Sequence, residues 1–314
     1  MLDLESIKEA AVRVKPYVKR TPLERSESLS RRLGVNVFVK YELFQRTGSF
    51  KPRGAFNKML SLSEGERKRG VIAVSGGNHA QAVAYAATTL GIDAVVLMPE
   101  NTPKNYLDAA RGYGANVDLQ PNIAAAFDKI AEYEAQGRVL VHPFDDELVI
   151  AGQGTVGLEI VEDVPDVTDV IASIGGGGMA AGVAMAVKSL KPEVKAWGVE
   201  TIGADAMSQA IAAGEPVMLP GITSVAKTLG APAVTDLTLQ LAQQYLESVT
   251  VVPDPEAIAA QVYILERLKV LTEPASSCTF AAAERLRANF GPNTNLVLVF
   301  CGGNSSVADI CAYI

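Results

Sequence analysis

The stretch Val167-Thr168-Asp169-Val170-Ile171-Ala172-Ser173-Ile174-Gly175-Gly176-Gly177-Gly178-Met179-Ala180-Ala181-Gly182 reads as a strand, a turn of four glycines and the start of a helix that runs on to residue 190. A short apolar run rich in Val and Ile is the pattern of a strand covered on both faces. Glycines let the backbone turn so that successive N–H groups point into one concavity, and the helix start adds partial positive charge. An anion is favoured there, and phosphate is the natural one. An α/β fold is the first expectation.

Working outward, the same rhythm recurs. Strands are expected over 35–41, 71–74, 94–98, 117–120, 139–142, 194–199, 249–252 and 295–300. Helices are expected over 4–17, 53–60, 79–90, 103–112, 123–135, 149–161, 205–213, 237–246, 255–270 and 276–288. Strands alternating with helices imply a parallel sheet with both faces covered. Segment 203–232 is looser, with several Gly and Pro. In open α/β sheets ligands bind beyond the carboxyl ends of strands, which directs attention to residues 75–78, 175–178, Glu200 and 301–304.

With 314 residues the chain is long enough for two domains, each with its own core. A net charge of -7 and the lack of a basic stripe argue against a nucleic-acid partner. Cys278, Cys301 and Cys311 are odd in number and show no CxxC spacing, so a reducing compartment is expected rather than disulfides or zinc. The amino terminus carries acids and no apolar h-region. The uncharged run 170–187 is interrupted by four glycines, so no membrane span is expected and the location is read as cytoplasmic.

A second stretch, Thr47-Gly48-Ser49-Phe50-Lys51-Pro52-Arg53-Gly54, sets a lysine beside an aromatic ring at a loop-to-helix junction. Pro52 suits the first helical turn. Burial there would lower the lysine's pKa, as Schiff-base and proton-transfer chemistry requires. Ser75-Gly76-Gly77-Asn78-His79 is another strand-to-helix turn, with donors suited to a carboxylate. His79 and His142 are the two histidines, and no Ser–His–Asp triad is arguable from them. Gly175-x-Gly177-x-x-Ala180, with Glu200 ending the next strand, also fits a relaxed dinucleotide fingerprint. A nicotinamide-dependent dehydrogenase therefore stands as a competitor, though it leaves Lys51 and the 75–79 turn without a task and places the fingerprint mid-chain.

Taken with Ala151-Gly-Gln153-Gly-Thr155, Thr272-Glu273-Pro274 and Cys301-Gly-Gly-Asn304, these motifs resemble one family. It is the pyridoxal-phosphate enzymes of the tryptophan synthase β-like fold (fold type II), within them the threonine/serine dehydratase and serine racemase group. The resemblance runs from about residue 7 to 304. It implies two open parallel-sheet α/β domains, a large one of residues 1–47 plus 147–314 and a small one of 48–146, with the cofactor between them. It implies that Lys51 carries pyridoxal 5'-phosphate and acts catalytically, and that Phe50 packs on the ring. Gly175, Gly176, Gly177, Gly178 and Met179 would hold the phosphate, Asn78 the ring hydroxyl, and Cys301 would face the ring nitrogen. Glu273 would line the cofactor pocket or cap the helix after it. Ser75, Gly77, Asn78 and His79 would cradle the substrate carboxylate. A homodimer acting on a small amino acid is implied, with L-threonine or L-serine losing water to give a 2-oxo acid and ammonia.

Departures from the family pattern refine this. Racemases of the group place a serine where this chain has Gly76, so dehydration with little racemisation is expected. Val141-His-Pro-Phe-Asp-Asp146 resembles the threonine dehydratase version of that segment. Neither a carboxyl-terminal regulatory domain nor isoleucine feedback is expected. Related enzymes bind a divalent cation through positions matching Glu200, the Ala204 carbonyl and an acid where Ala206 stands here. Losing that acid makes the site doubtful, and no metal is assigned. Lys227 lies where dehydratases of the group lack a cation. It is either solvated or a sign of an acidic substrate such as a 3-hydroxyaspartate.

Overall fold

The apolar runs at 71–74, 169–173 and 295–299 become the buried middles of two sheets in the computed structural model, which describes residues 2–313. Six strands are β1 (Leu23–Arg25), β2 (Asn36–Lys40), β7 (Asp169–Ser173), β8 (Lys195–Thr201), β9 (Ser248–Val252) and β10 (Asn295–Val299). They form one sheet in the order β1-β2-β10-β7-β8-β9. The other four are β3 (Val71–Val74), β4 (Ala94–Pro99), β5 (Asn116–Gln120) and β6 (Val139–Leu140), in the order β5-β4-β3-β6. Every residue of β3, β7 and β10 is buried, whereas the edge strands β5 and β9 are partly exposed.

Strand alternation shows in the smaller sheet. Val71, Ala73, Val96 and Met98 pack on one face with Ala55, Phe56 and Met59 of the helix Pro52–Leu60. Ile72, Val74, Val95 and Leu97 pack on the other with Ala126, Ile130 and Tyr133. The register pairs Val71 with Ala94 and Val74 with Leu97, which keeps each set on its own face. The helix Glu147–Asp163 lies against both Pro52–Leu60 and Gly178–Leu190. Its approach is close: a Cβ on Gly152 would stand 2.5 Å from the Arg53 carbonyl oxygen.

Three expectations are corrected. The larger sheet is not wholly parallel, because β1 runs antiparallel to β2 with Leu23 opposite Lys40. Leu23-Glu24-Arg25 has too few apolar residues to announce a strand, and only the free edge of β2 makes it one. The helix expected over 123–135 breaks into Ile123–Asp128 and Ile130–Ala135, yet Ala126, Ile130 and Tyr133 still reach the same sheet face. The strand expected over 139–142 is only Val139–Leu140. Two short helices went unread despite their capping signals. Glu27–Leu33 lies between Ser26 and a left-handed Gly34, and Glu64–Arg69 opens on a Ser63–Glu66 capping box.

Candidate active site

Segments leaving the carboxyl ends of β3, β4, β7 and β10, with the turn after β6, line one cleft of about 550 Å³. That size suits a cofactor together with a small substrate. The sequence-derived residues Phe50, Lys51, Ser75, Gly77, Asn78 and His79 meet there. So do Gly175, Gly176, Gly177, Gly178, Met179, Glu273 and Cys301. Glu200 and Ala204 do not.

Backbone bonds carry Lys51 to the end of β10. The Phe50 N–H donates to the Cys301 carbonyl (3.0 Å), and the Gly303 N–H donates to the Gly48 carbonyl (2.9 Å). Just before the lysine the chain turns sharply, with Thr47 at φ 60° and Gly48 at φ 72°. Asn304 Nδ2 donates to the Thr47 carbonyl (2.8 Å), and a Cβ on Gly48 would stand 2.5 Å from Asn304 Oδ1. A side chain at 48 would therefore be strained and crowded at once. Beyond Lys51, buried Arg53 donates to Glu42 and Glu159, and Lys40 donates to Glu159, which fixes the helix start in a paired ionic cluster.

The Lys51 amine donates to the Pro143 carbonyl (2.9 Å) and lies 5.1 Å from the centre of the Phe50 ring. Burial lowers its pKa to about 8. The protonated and neutral forms are then both present near neutral pH.

The glycine turn opens the helix Gly178–Leu190 with Gly177 at φ +97°. Ala181 donates the first helical bond, to the Gly177 carbonyl. The amides of Gly176, Gly177, Gly178 and Met179 have no protein acceptor among the described residues. Phe144 backs the turn: a Cβ on Gly176 would stand 2.1 Å from its ring. Bare amides at a helix start, with no room for side chains behind them, fit a phosphate. The cleft thus offers both an amine for an aldehyde and a cradle for a phosphate, as pyridoxal phosphate requires.

Glu273 holds the N-cap position of the helix Pro274–Arg285, but its side chain does not cap it. Its buried carboxylate accepts from Asn78 Nδ2 (2.9 and 3.1 Å), the Thr228 hydroxyl (2.6 Å) and the Asn304 N–H (2.8 Å). Burial raises its pKa against those donors. Asn304 Nδ2 also donates to Asn78 Oδ1 (2.7 Å), so the Asn78 amide is held at both ends. The Cys301 thiol lies between the hydroxyls of Ser173 (3.4 Å) and Ser276 (3.3 Å), and burial raises its pKa to about 11, which keeps it neutral.

On the other wall, Ser75 Oγ accepts from the Gly77 N–H (3.1 Å). The amides of Gly76, Asn78 and His79 donate to no protein group among the described residues. The His79 side chain turns inward: Nε2 bonds the Val141 carbonyl (2.7 Å) and Nδ1 is buried without a partner. A carbonyl only accepts, so Nε2 carries the hydrogen and the ring is neutral. Burial, then the charge of Lys51, lowers its pKa to about 3. Only the backbone of His79 faces the cleft as a donor. His142 Nδ1 accepts from the Asp145 N–H (2.7 Å) and so shapes the turn that presents Pro143.

Glu200 accepts from the amides of Met207 (2.9 Å) and Ser208 (2.8 Å), capping the helix Ala206–Ala213, and burial raises its pKa to about 8. Each oxygen accepts from one amide, so this carboxylate serves the start of that helix and lies outside the cleft. Among the described residues no three His, Cys, Asp or Glu cluster as metal ligands. Lys227 is an exposed residue of the cleft rim and forms no ion pair among the described residues.

Sequence reasoning gave no role to Asn304, Thr228, Pro143 or Phe144. Asn304 stood in a quoted motif just after a strand, and Pro143 and Phe144 in another. Thr228 had no signal beyond its place in the loose segment.

A family profile described as pyridoxal-phosphate dependent enzyme matches residues 14–302. An L-threonine ammonia-lyase of Thermotoga maritima is 42% identical over 312 residues, covering 98% of this chain and 77% of its own. A catabolic L-threonine dehydratase of Escherichia coli is 37% identical, covering 99% of this chain and 96% of its own. The solved structure of maize serine racemase superposes with a TM-score of 0.93 at 34% identity, covering 99% of this chain and 96% of that one.

Proposed function

The chain belongs to the pyridoxal-phosphate-dependent enzymes, and from that premise we propose that it removes water from L-threonine and L-serine, releasing a 2-oxo acid and ammonia. The observation that carries this reading is an amine with a pKa near 8 in the same cleft as a turn of unbonded glycine amides. Bound pyridoxal phosphate supplies the electron sink that acidifies the Cα proton of an amino acid.

The protein supplies the rest. Gly176, Gly177, Gly178 and Met179 donate to the phosphate, and Phe50 packs on the ring. Asn78, oriented by Glu273 and Asn304, would face the ring hydroxyl. The neutral Cys301 thiol would face the ring nitrogen and offer it no charge. Lys51 would hold the cofactor through its aldehyde and, as a free amine, would take the Cα proton, a task suited to an amine whose pKa burial lowers to about 8. The amides of the 75–79 turn hold the substrate carboxylate. Residues 48–146 form the substrate-side domain, and 1–47 plus 147–314 the cofactor-side domain. A cytoplasmic homodimer belongs to the same reading, and sedimentation at micromolar concentration checks the dimer.

The test is a panel of β-hydroxy amino acids with cofactor-loaded enzyme. Equal release of 2-oxo acid and ammonia from L-threonine or L-serine is expected, with the residual substrate still L. Silence across the panel would sink the reading. The unpaired Lys227 favours a second substrate class, the 3-hydroxyaspartates, and the panel includes them.

A further inference from the structure

Two threonines flank the turn 75–79, and they differ in what their hydroxyls do. On one side Thr228 approaches Gly77, its Cγ2 being 3.7 Å from where a Gly77 Cβ would stand, and its hydroxyl is spent on Glu273. On the other side Thr102 lies against Gly76. A Cβ on Gly76 would stand 2.9 Å from Thr102 Oγ1, so that hydroxyl takes the space a residue-76 side chain would fill. Thr102 is 8% exposed, lines the cleft, and its hydroxyl has no hydrogen-bond partner among the described residues.

That hydroxyl is not shut away from the cleft, so it is free to donate to a ligand there. Here it lies against a helix start whose Gly76, Asn78 and His79 amides are also unpaired. The Gly77 amide is already taken by Ser75 Oγ. An anion bound at the turn would therefore meet three amides and one hydroxyl. We propose that Thr102 is a further substrate-contacting residue, its hydroxyl donating to the α-carboxylate held at the 75–79 turn. Gly76 and Thr102 form a matched pair, in which the missing side chain of one makes room for the hydroxyl of the other. The proposal rests on the amino-acid reading of the cleft.

The test compares Thr102→Val, which keeps the shape and removes the donor, with Thr102→Ser, which keeps the donor. Two readouts are taken on cofactor-loaded enzyme: KM and kcat for L-threonine, and the dissociation constant of L-alanine, which has no leaving group, from the change in cofactor absorbance. Thr102→Val is expected to weaken L-alanine binding and raise KM by about tenfold or more, as for a lost hydrogen bond to a charged group. Its kcat should stay within about twofold. Thr102→Ser should match the parent. Gly76→Ser is expected to weaken L-alanine binding by crowding Thr102. Unchanged L-alanine binding in Thr102→Val, with cofactor content intact, overturns the proposal. If the parent binds L-alanine through Thr102 yet turns over no β-hydroxy amino acid, the proposal holds and the dehydratase reading alone falls.

Discussion

The two walls of the cleft are built on opposite terms. On the larger sheet's side the side chains are already satisfied: Glu273 accepts from three residues, and the Cys301 thiol is enclosed by two serine hydroxyls. On the smaller sheet's side three amides and the Thr102 hydroxyl have no partner among the described residues, and Ser75, Gly76 and Gly77 are only half-buried. A wall whose side chains are mutually bonded can hold a resident group in one pose without rearranging. A wall of open donors suits a ligand that comes and goes. The glycine turn is the exception on the first side, and its bare amides are what a permanent anion would satisfy.

The comparison can be broken at its centre. Lys51→Ala should abolish turnover by more than about a thousandfold and leave no cofactor fixed by borohydride. In the parent apoprotein, capture of pyridoxal phosphate should quicken as pH rises through about 8, since the neutral amine is the nucleophile. A capture rate flat across roughly two pH units either side of that value would contradict this.

The satisfied wall is tested next. Glu273→Gln replaces a carboxylate that serves three donors with an amide that itself donates. It should cost about 1–3 kcal/mol, read by urea unfolding, and weaken cofactor binding. Gly176→Ala drives a methyl into the Phe144 ring and should cost a similar 1–3 kcal/mol or so, with loss of cofactor affinity. Unchanged cofactor affinity in both variants would mean that this wall does not hold the cofactor.

The effect that is smallest at neutral pH concerns the buried part of the open wall. The folded-state pKa of His79 is about 3 against 6.5 for a free histidine, so below 6.5 the unfolded chain takes up a proton that the folded chain refuses. This contribution lowers stability as pH falls from 6.5 towards 3, by at most about 1.4 kcal/mol per pH unit. His79→Gln should flatten that slope in urea titrations, and an unaltered slope would assign it to other groups.

The sequence was most informative where chemistry needs a residue type at a strand end. Gly175, Gly176, Gly177 and Gly178, Lys51 and the 75–79 turn were legible because backbone anion sites and amine chemistry leave local patterns. Glu200 shows the limit: its place after β8 matched both a ribose acid and a cation ligand, yet its carboxylate closes the helix Ala206–Ala213. Glu273 was legible as a pocket residue but not as a hub, since its partners lie 195, 45 and 31 residues away.

By itself the sequence determined the α/β rhythm, the apolar middles of both sheets and the small-residue turns at strand ends, because each depends on neighbours along the chain. Tertiary structure alone decided that β1 joins the larger sheet antiparallel, that the His79 ring turns away from the cleft, and that the Thr102 hydroxyl lies over Gly76. These follow from edges, carbonyls and empty spaces contributed by distant segments, and such partners exist only once the chain has closed on itself.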